Sequence, residues 1–262
     1  MSEKTLSRMI GDLSYAEVPK RLSKRSILCL PIGSIEQHGP HLPLNTDAIL
    51  AEAFTRRIIA RWAETYDLWQ LPTLALGLAR EHEWAPGTLS LSVESITTLM
   101  HDLGRSIVRA LPSLNLAIIN AHGGNRGILE ALAQDLRADC GLNVCIMHPA
   151  VWAAEDDTGT PDFHGGKSET SMMLAIAPHL VDSEQMRGLK ASPASDTVRA
   201  TIVDPAVTWP WTSDEPPIAA LGVIGDAKAA SAEEGERLLA RIAERAGGVL
   251  RQLLDRMQLV ER

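Results

Sequence analysis

The sequence predicts a three-layer α/β/α domain with a largely parallel central sheet, on three observations. Short apolar runs alternate along the chain with stretches of helical spacing. Strands separated by helices pair in parallel through crossovers, and the crossover helices cover both faces of the sheet. A chain of 262 residues is long enough for one large α/β domain, whose core needs no disulfide or metal to hold it. Residues 1–262 are therefore read as a single domain.

Ser26–Ile32 is an apolar run and the first strand. Ile49, Leu50, Phe54, Ile58 and Ile59 then recur at helical spacing, which predicts a helix over Asp47–Trp62. Leu71–Leu76 is the second short apolar run. Val93–Leu111 reads as a helix with Ser92 as its N-cap and Pro112 as its stop. Leu114–Asn120 is a third strand, and Arg126–Asp139 a helix closed by Cys140-Gly141. Val144–His148 is a fourth strand. Ser168–Ala177 is a helix stopped before Pro178, and Ser231–Gln258 a long amphipathic helix opened by a capping box of Ser231 and Glu234. Asp182–Pro217 is rich in Pro, Ser and Asp and carries no regular pattern. It is expected to form a loop over the site or a subunit contact.

Composition excludes several classes. A net charge of −8 argues against a nucleic-acid or anionic-membrane surface, because both need clustered Lys and Arg. The one basic pair of the first helix, Arg56-Arg57, is explained by a solvated face. Cys29, Cys140 and Cys145 are odd in number and read as small buried hydrophobes of a reducing cytoplasm. Met1 to Lys20 is polar and lacks the apolar stretch of a signal peptide, and no run reaches the roughly 18 apolar residues of a transmembrane helix.

The chemistry collects at the carboxyl ends of the strands, where open α/β sheets bind ligands. Glu36 and His38 follow the first strand, and on an extended chain residues two apart face one side. Asp47 opens the next helix, where the dipole favours a carboxylate. His122 follows the third strand within Asn120-Ala-His-Gly-Gly-Asn125, and Asp162, His164 and Glu169 lie within Asp162-Phe-His-Gly-Gly-Lys-Ser-Glu-Thr-Ser171. Mixed imidazole and carboxylate donors suit zinc or manganese. A polar rim on the sheet edge is the plainer reading of each piece alone. A phosphate loop at His122-Gly-Gly-Asn is disfavoured because no Lys-Ser/Thr follows the glycines. His82 and Trp84, before Pro86-Gly87-Thr88, and Trp152, after the fourth strand, are candidate pocket walls for a small-molecule substrate. Trp209 and Trp211 could cap a pocket or bury a subunit contact. His41 is expected to fix the turn between Pro40 and Pro43, His101 and His179 to lie on the surface, and Met172-Met173 to pack core.

Five blocks together resemble the creatininase family. They are Gly33-Ser-Ile-Glu-Gln-His-Gly-Pro-His-Leu-Pro-Leu-Asn-Thr-Asp47, Glu81-His-Glu-Trp-Ala-Pro-Gly-Thr-Leu-Ser-Leu91, Asn120-Ala-His-Gly-Gly-Asn125, His164-Gly-Gly-Lys-Ser-Glu-Thr-Ser171 and Gly222-Val-Ile-Gly-Asp226. The resemblance implies an α/β/α domain, two divalent ions per chain (zinc or manganese), hydrolysis of a non-peptide C–N bond, and a homo-oligomer, commonly a homohexamer. Carried over by motif, Glu36 and His122 would hold one ion and His38 the other, with Asp47 bridging. Creatininase itself has Tyr-Glu after the histidine of the third-strand motif, and that Glu binds metal. Gly123 and Gly124 stand there in this chain. The resemblance implies that Glu169 supplies the missing carboxylate, as in the branch that holds a formylaminopyrimidine deformylase and the mycofactocin-pathway peptidase. Creatinine is then disfavoured as substrate. Two ions roughly 3.5–4 Å apart can share a hydroxide. His164 is the candidate to protonate the leaving nitrogen, with Asp162 orienting it. Rival expectations are cleavage of a short peptide or cyclic ketone, and a metal-binding partner subunit without turnover.

Overall fold

The computed structural model describes residues 7–153, 162–190, 196–204 and 206–260. After a short helix α1 (Val18–Arg21) come strand β1 (Ile27–Ile32), helix α2 (Thr46–Trp62), strand β2 (Leu68–Gln70) and helix α3 (Val93–Ala110). Strand β3 (Asn115–Asn120), helix α4 (Arg126–Cys140), strand β4 (Asn143–Met147) and helix α5 (Pro149–Ala153) follow. The last part holds α6 (Lys167–Ile176), α7 (Ser183–Gly188), α8 (Asp196–Val198) and the long α9 (Ala232–Val260). Among the described residues the sheet has four strands in the order β2-β1-β3-β4, all parallel.

Alternation along the central strands builds the two outer layers. Ile27 and Cys29 of β1, with Ala117 and Ile119 of β3, face α2, α6 and α9. Leu28, Leu30, Ile32, Leu116 and Ile118 face the other way, onto Ile96, Met100 and Ile107 of α3 and Leu129, Leu132 and Leu136 of α4. Strands covered on both faces are apolar throughout, which is why their runs are continuous in sequence. The predicted three-layer fold is therefore the observed one.

Three elements differ from expectation. The second strand is Leu68–Gln70, not Leu71–Leu76. Pro72 has no N–H to donate and breaks the ladder, although the amides of Leu71 and Leu74 still reach the carbonyls of Cys29 (2.8 Å) and Pro31 (3.0 Å). The capping box of α9 is half formed. The Ser231 hydroxyl accepts from the Glu234 amide (3.2 Å), but the Ser231 amide donates to Ser171 Oγ on α6 (3.1 Å) and the Glu234 carboxylate binds Arg237. The irregular Asp182–Pro217 stretch contains α7, capped by Asp182, then α8 running into a wide turn over Arg199–Val203. By contrast Ser92 caps α3 as expected, its hydroxyl accepting from the Ser95 amide at 3.0 Å. Met172 and Met173 are buried in the core.

Helices α6 and α9 touch at backbone distance. A Cβ added to Gly235 would lie 2.0 Å from the Ser171 carbonyl oxygen, whereas one added to the exposed Gly248 meets nothing within 4 Å. Gly235→Ala should therefore destabilise the fold by about 1–3 kcal/mol through overpacking. Gly248→Ala should stabilise it by about 0.5–1 kcal/mol through helix propensity. Denaturant unfolding of both variants checks the pair; equal shifts would disprove the close contact.

Candidate metal centre

Three chain segments deliver side chains to the carboxyl edge of the sheet. The turn after β1 brings Glu36 and His38, the first turn of α2 brings Asp47, and the turn after β3 brings His122; all four are buried. Asp47 is shared. Its Oδ1 lies 3.1 Å from His38 Nε2, and its Oδ2 lies 3.1 Å from His122 Nδ1. Glu36 Oε1 is 3.2 Å from His122 Nδ1 on one side, and Glu169 Oε2 is 3.8 Å from His38 Nε2 on the other. The donor atoms of Glu36, Asp47 and His122 lie within 4.8 Å of one another, and so do those of His38, Asp47 and Glu169. A third such group is Glu36, His38 and His164.

The geometry fits cations. Both oxygens of Glu36 and Oδ2 of Asp47 are buried and accept no hydrogen bond. Such oxygens are costly unless a positive charge is beside them. Each histidine also turns its second nitrogen to the backbone: His122 Nε2 to the Leu78 carbonyl, and His38 Nδ1 to the Glu36 carbonyl at 3.2 Å. A ring held that way presents its other nitrogen bare, as metal-binding histidines do.

The pKa directions express the same demand for positive charge. Burial pushes Glu36 up to about 6, though His122 pulls against it, and pushes Glu169 up to about 7, with His38 opposing. Asp47 goes the other way: burial is overcome by His38 and His122, and its carboxyl is held below the usual range. Burial is likewise overcome at His38, which Asp47 raises to about 10, and at His122, which Glu36 and Asp47 hold well above an ordinary imidazole. His82 and His164 are driven down by burial and by neighbouring imidazoles, His82 to about 3.

His164 sits over this cluster. Its ring stacks between His82 (centroids 4.0 Å apart) and His38 (4.2 Å), its Nε2 donates to the Gln37 carbonyl at 2.6 Å, and its Nδ1 faces Glu36 Oε1 at 3.6 Å. Asp162 accepts from the Ser168 amide (2.8 Å) and hydroxyl (2.6 Å), so these bonds fix the start of α6. The His164 ring is held by its own Nε2–H, which donates to the Gln37 carbonyl. Glu169, one residue further along α6, accepts from the Gly165 amide at 2.7 Å.

The cluster floors a cavity of about 830 Å³. His82, Glu81, Arg126, His148 and Glu130 form a polar wall, and Val151, Phe163, Ile202 and Trp211 an apolar one. Trp152, expected at the cavity, instead packs against the core, because the five-residue α5 turns Val151 to the cavity and its indole inward. Trp84 is half-exposed and donates its Nε1–H to Ser213 Oγ at 2.8 Å. Trp211 lines the cavity while Trp209 is exposed. His41 is buried with Nε2 2.8 Å from Thr170 Oγ1, His101 faces Asp135 across α3 and α4, and His179 is exposed. Residues 154–161, just after α5, lie outside the described residues.

Gln37 and Ser213 were missed as members of the site. Period two on an extended chain sends Gln37 away from Glu36 and His38, and Ser213 lies in an unpatterned stretch, so neither carries a sequence signal. Gly124 was noticed for what it lacks. A Cβ there would fall 2.3 Å from the Leu78 carbonyl, 2.5 Å from His122 Nε2 and 2.7 Å from Glu81 Oε1. The loop has no room for any side chain at this position, so a carboxylate cannot come from it.

Comparison with known proteins agrees with this arrangement. The sequence profile of the family Creatininase, described as creatinine amidohydrolase, matches residues 11–250. Over 241 residues the chain is 32% identical to the mycofactocin precursor peptide peptidase of Mycobacterium ulcerans (strain Agy99), covering 90% of this chain and 89% of that one. Over 256 residues it is 30% identical to the creatinine amidohydrolase of Pseudomonas putida, covering 89% and 92%. A mutant creatininase of "Zn-Zn type" superposes with a TM-score of 0.77 at 26% identity, over 95% of this chain and 98% of that one. "Creatininase Mn" gives 0.76 at 27% identity, over 94% and 98%. Both named activities are hydrolyses of C–N bonds. The matched span, the fold and the buried cluster of His and carboxylate make this chain a member of the creatininase family.

Proposed function

We propose that the chain is a binuclear metal-dependent amidohydrolase that cleaves a C–N bond of a small molecule, in the cytoplasm and as a homo-oligomer. The observation that carries this reading is Asp47, whose two oxygens face two separate donor groups. In it, Glu36 and His122 would hold one divalent ion and His38 and Glu169 the other, with Asp47 available to both. Zinc and manganese both suit these donors. Such a pair, when bound, supplies hydroxide near neutral pH and polarises the substrate carbonyl.

The remaining work falls to the chain. His164 has its Nε2–H committed to the Gln37 carbonyl, which leaves Nδ1 bare over the cluster. Nδ1 takes the one proton left on the attacking hydroxyl once it has bonded to the carbonyl carbon and passes it to the leaving nitrogen, so the imidazole ends the cycle as it began. The wall of Val151, Phe163, Ile202 and Trp211 excludes water and holds the apolar part of the substrate. A short peptide is the second reading. It is favoured by Gly124, which has no room for the carboxylate of creatininase, and by a cavity much larger than one small ring. A panel of lactams, formamides and dipeptides decides between the two. Turnover of none of them by metal-loaded protein would favour a binding subunit.

Two outcomes test the centre itself. Purified protein loaded with zinc or manganese should hold two ions per chain by elemental analysis. Glu169→Gln should fold, hold about one ion fewer and lose nearly all activity, because a neutral amide is a poor ligand for a divalent ion. Retention of both ions with full turnover would move the fifth ligand elsewhere, for example to Asp162.

His164→Asn should lower turnover by about 10²–10⁴, the range of a positioned proton carrier, with metal content unchanged. Unaltered turnover removes His164 from the mechanism. Loss of an ion would make it a ligand.

A further inference from the structure

The stacked imidazoles of His82 and His164 each direct one nitrogen towards Glu36 Oε1, at 3.5 and 3.6 Å, but hydrogen-bond bookkeeping gives those nitrogens opposite polarity. For His164 the matter is simple. Nε2 lies 2.6 Å from a carbonyl and must carry the proton, so Nδ1 is an acceptor.

For His82 the answer comes from its buried surroundings. The Gln37 side-chain amide is oriented by the Gly39 N–H, which donates to Oε1 at 2.8 Å. Its NH₂ group sends one hydrogen to the Gly222 carbonyl (3.0 Å). The second has Ser213 Oγ (3.1 Å) and His82 Nδ1 (3.1 Å) within reach, since His164 Nε2 is already a donor. Ser213 Oγ accepts from Trp84 Nε1 (2.8 Å) and lies 2.7 Å from His82 Nδ1 and 3.3 Å from the Glu81 carbonyl. If His82 Nδ1 carried a proton, four hydrogens would compete for two lone pairs of Ser213 and one distant carbonyl that already accepts the Ser213 amide. One buried donor would be stranded, which is costly. With Nδ1 bare, every donor finds an acceptor. His82 is then neutral with its proton on Nε2, and 3.5 Å from Glu36 is too long for that N–H to be satisfied. His82 and Glu36, towards which this N–H points, both line the cavity.

We propose that His82 is a hydrogen-bond donor of the site through Nε2–H, locked in that tautomer by Gln37 and Ser213, and that it binds the substrate oxygen that becomes negative during cleavage. The tautomer follows from the chain alone; its catalytic use rests on the hydrolase reading above. Cleavage of an amide places negative charge on the carbonyl oxygen, and a preoriented donor in a dry site stabilises it. His82 and His164 thus divide the work as donor and proton acceptor. Gln37 and Ser213 are positioning residues, each able to occupy Nδ1 when the other is removed.

The test is nitrogen NMR of protein labelled with ¹⁵N-histidine, zinc-loaded and without substrate, with His82 identified by its loss in His82→Gln. The expected pattern is a bare Nδ1 and a protonated Nε2. It should persist in Ser213→Ala and in Gln37→Met, and give way to mixed tautomers only in the double variant. A protonated Nδ1 in the wild type overturns the proposal outright. So does a double variant that folds, by circular dichroism, with the pattern unchanged. On the best amide of the panel, His82→Leu should lower kcat by roughly 10²–10³, the cost of one oxyanion donor, with KM little changed. His82→Gln, which keeps an N–H, should recover part of the loss. A loss confined to KM would reject the catalytic half. Absence of any panel turnover bears on the hydrolase reading and leaves the NMR result standing.

Discussion

A carboxylate buried at the first turn of α2 has to be neutralised, and the Asp47 side chain is neutralised from both sides. Its position on α2 is fixed by the apolar face beneath it, where Leu50, Phe54 and Ile58 pack onto β1. Removing such a charge from water costs several kcal/mol unless a counter-charge is close. The turn after β1 and the turn after β3 therefore both bend towards it. Each brings an imidazole whose far nitrogen is tied to a backbone carbonyl, so each ring is held before any ligand arrives. Adjacent pairing of β1 and β3 is what allows the two turns to meet.

How much of this was legible depends on whether the information is local. The runs of β1 and β3 were legible because both faces of these strands are buried. Glu36, His38 and Asp47 were legible because one short segment carries all three, whereas the assignment of Glu169 was reached only through the family resemblance. Strand β2 was placed three residues late, since hydrophobicity alone does not register the missing N–H of Pro72. The capping box was only half right because Ser171, sixty residues away, competes for the Ser231 amide. Trp152 was misassigned because one turn of helix shows no periodicity from which to choose a face. Gln37 and Ser213 meet across 176 residues of sequence, and nothing in either neighbourhood announces it.

Gly124 has no side chain, and Glu169 brings a carboxylate to the cluster from a different element. Crowding by the Leu78 carbonyl and Glu81 forbids a side chain after the histidine of the β3 turn. The charge is brought in from α6, on a helix whose start is fixed by Asp162 and Ser168. A side chain on a helix is held more rigidly than one on a loop. The turn after β3 is then free to line the cavity through Gly123 and Gly124 with backbone alone.

The contact of Gly235 with Ser171 has a bearing on biosynthesis. Domains emerge from the ribosome amino end first. Glu36, His38, Asp47 and His122 leave the tunnel early, and β1, α2 and β3 can bring them together while later residues are still being made. Helix α6, which carries Glu169, packs closely against the long helix α9. In the order of synthesis, four side chains of the cluster precede Glu169, and Glu169 precedes the helix against which α6 packs.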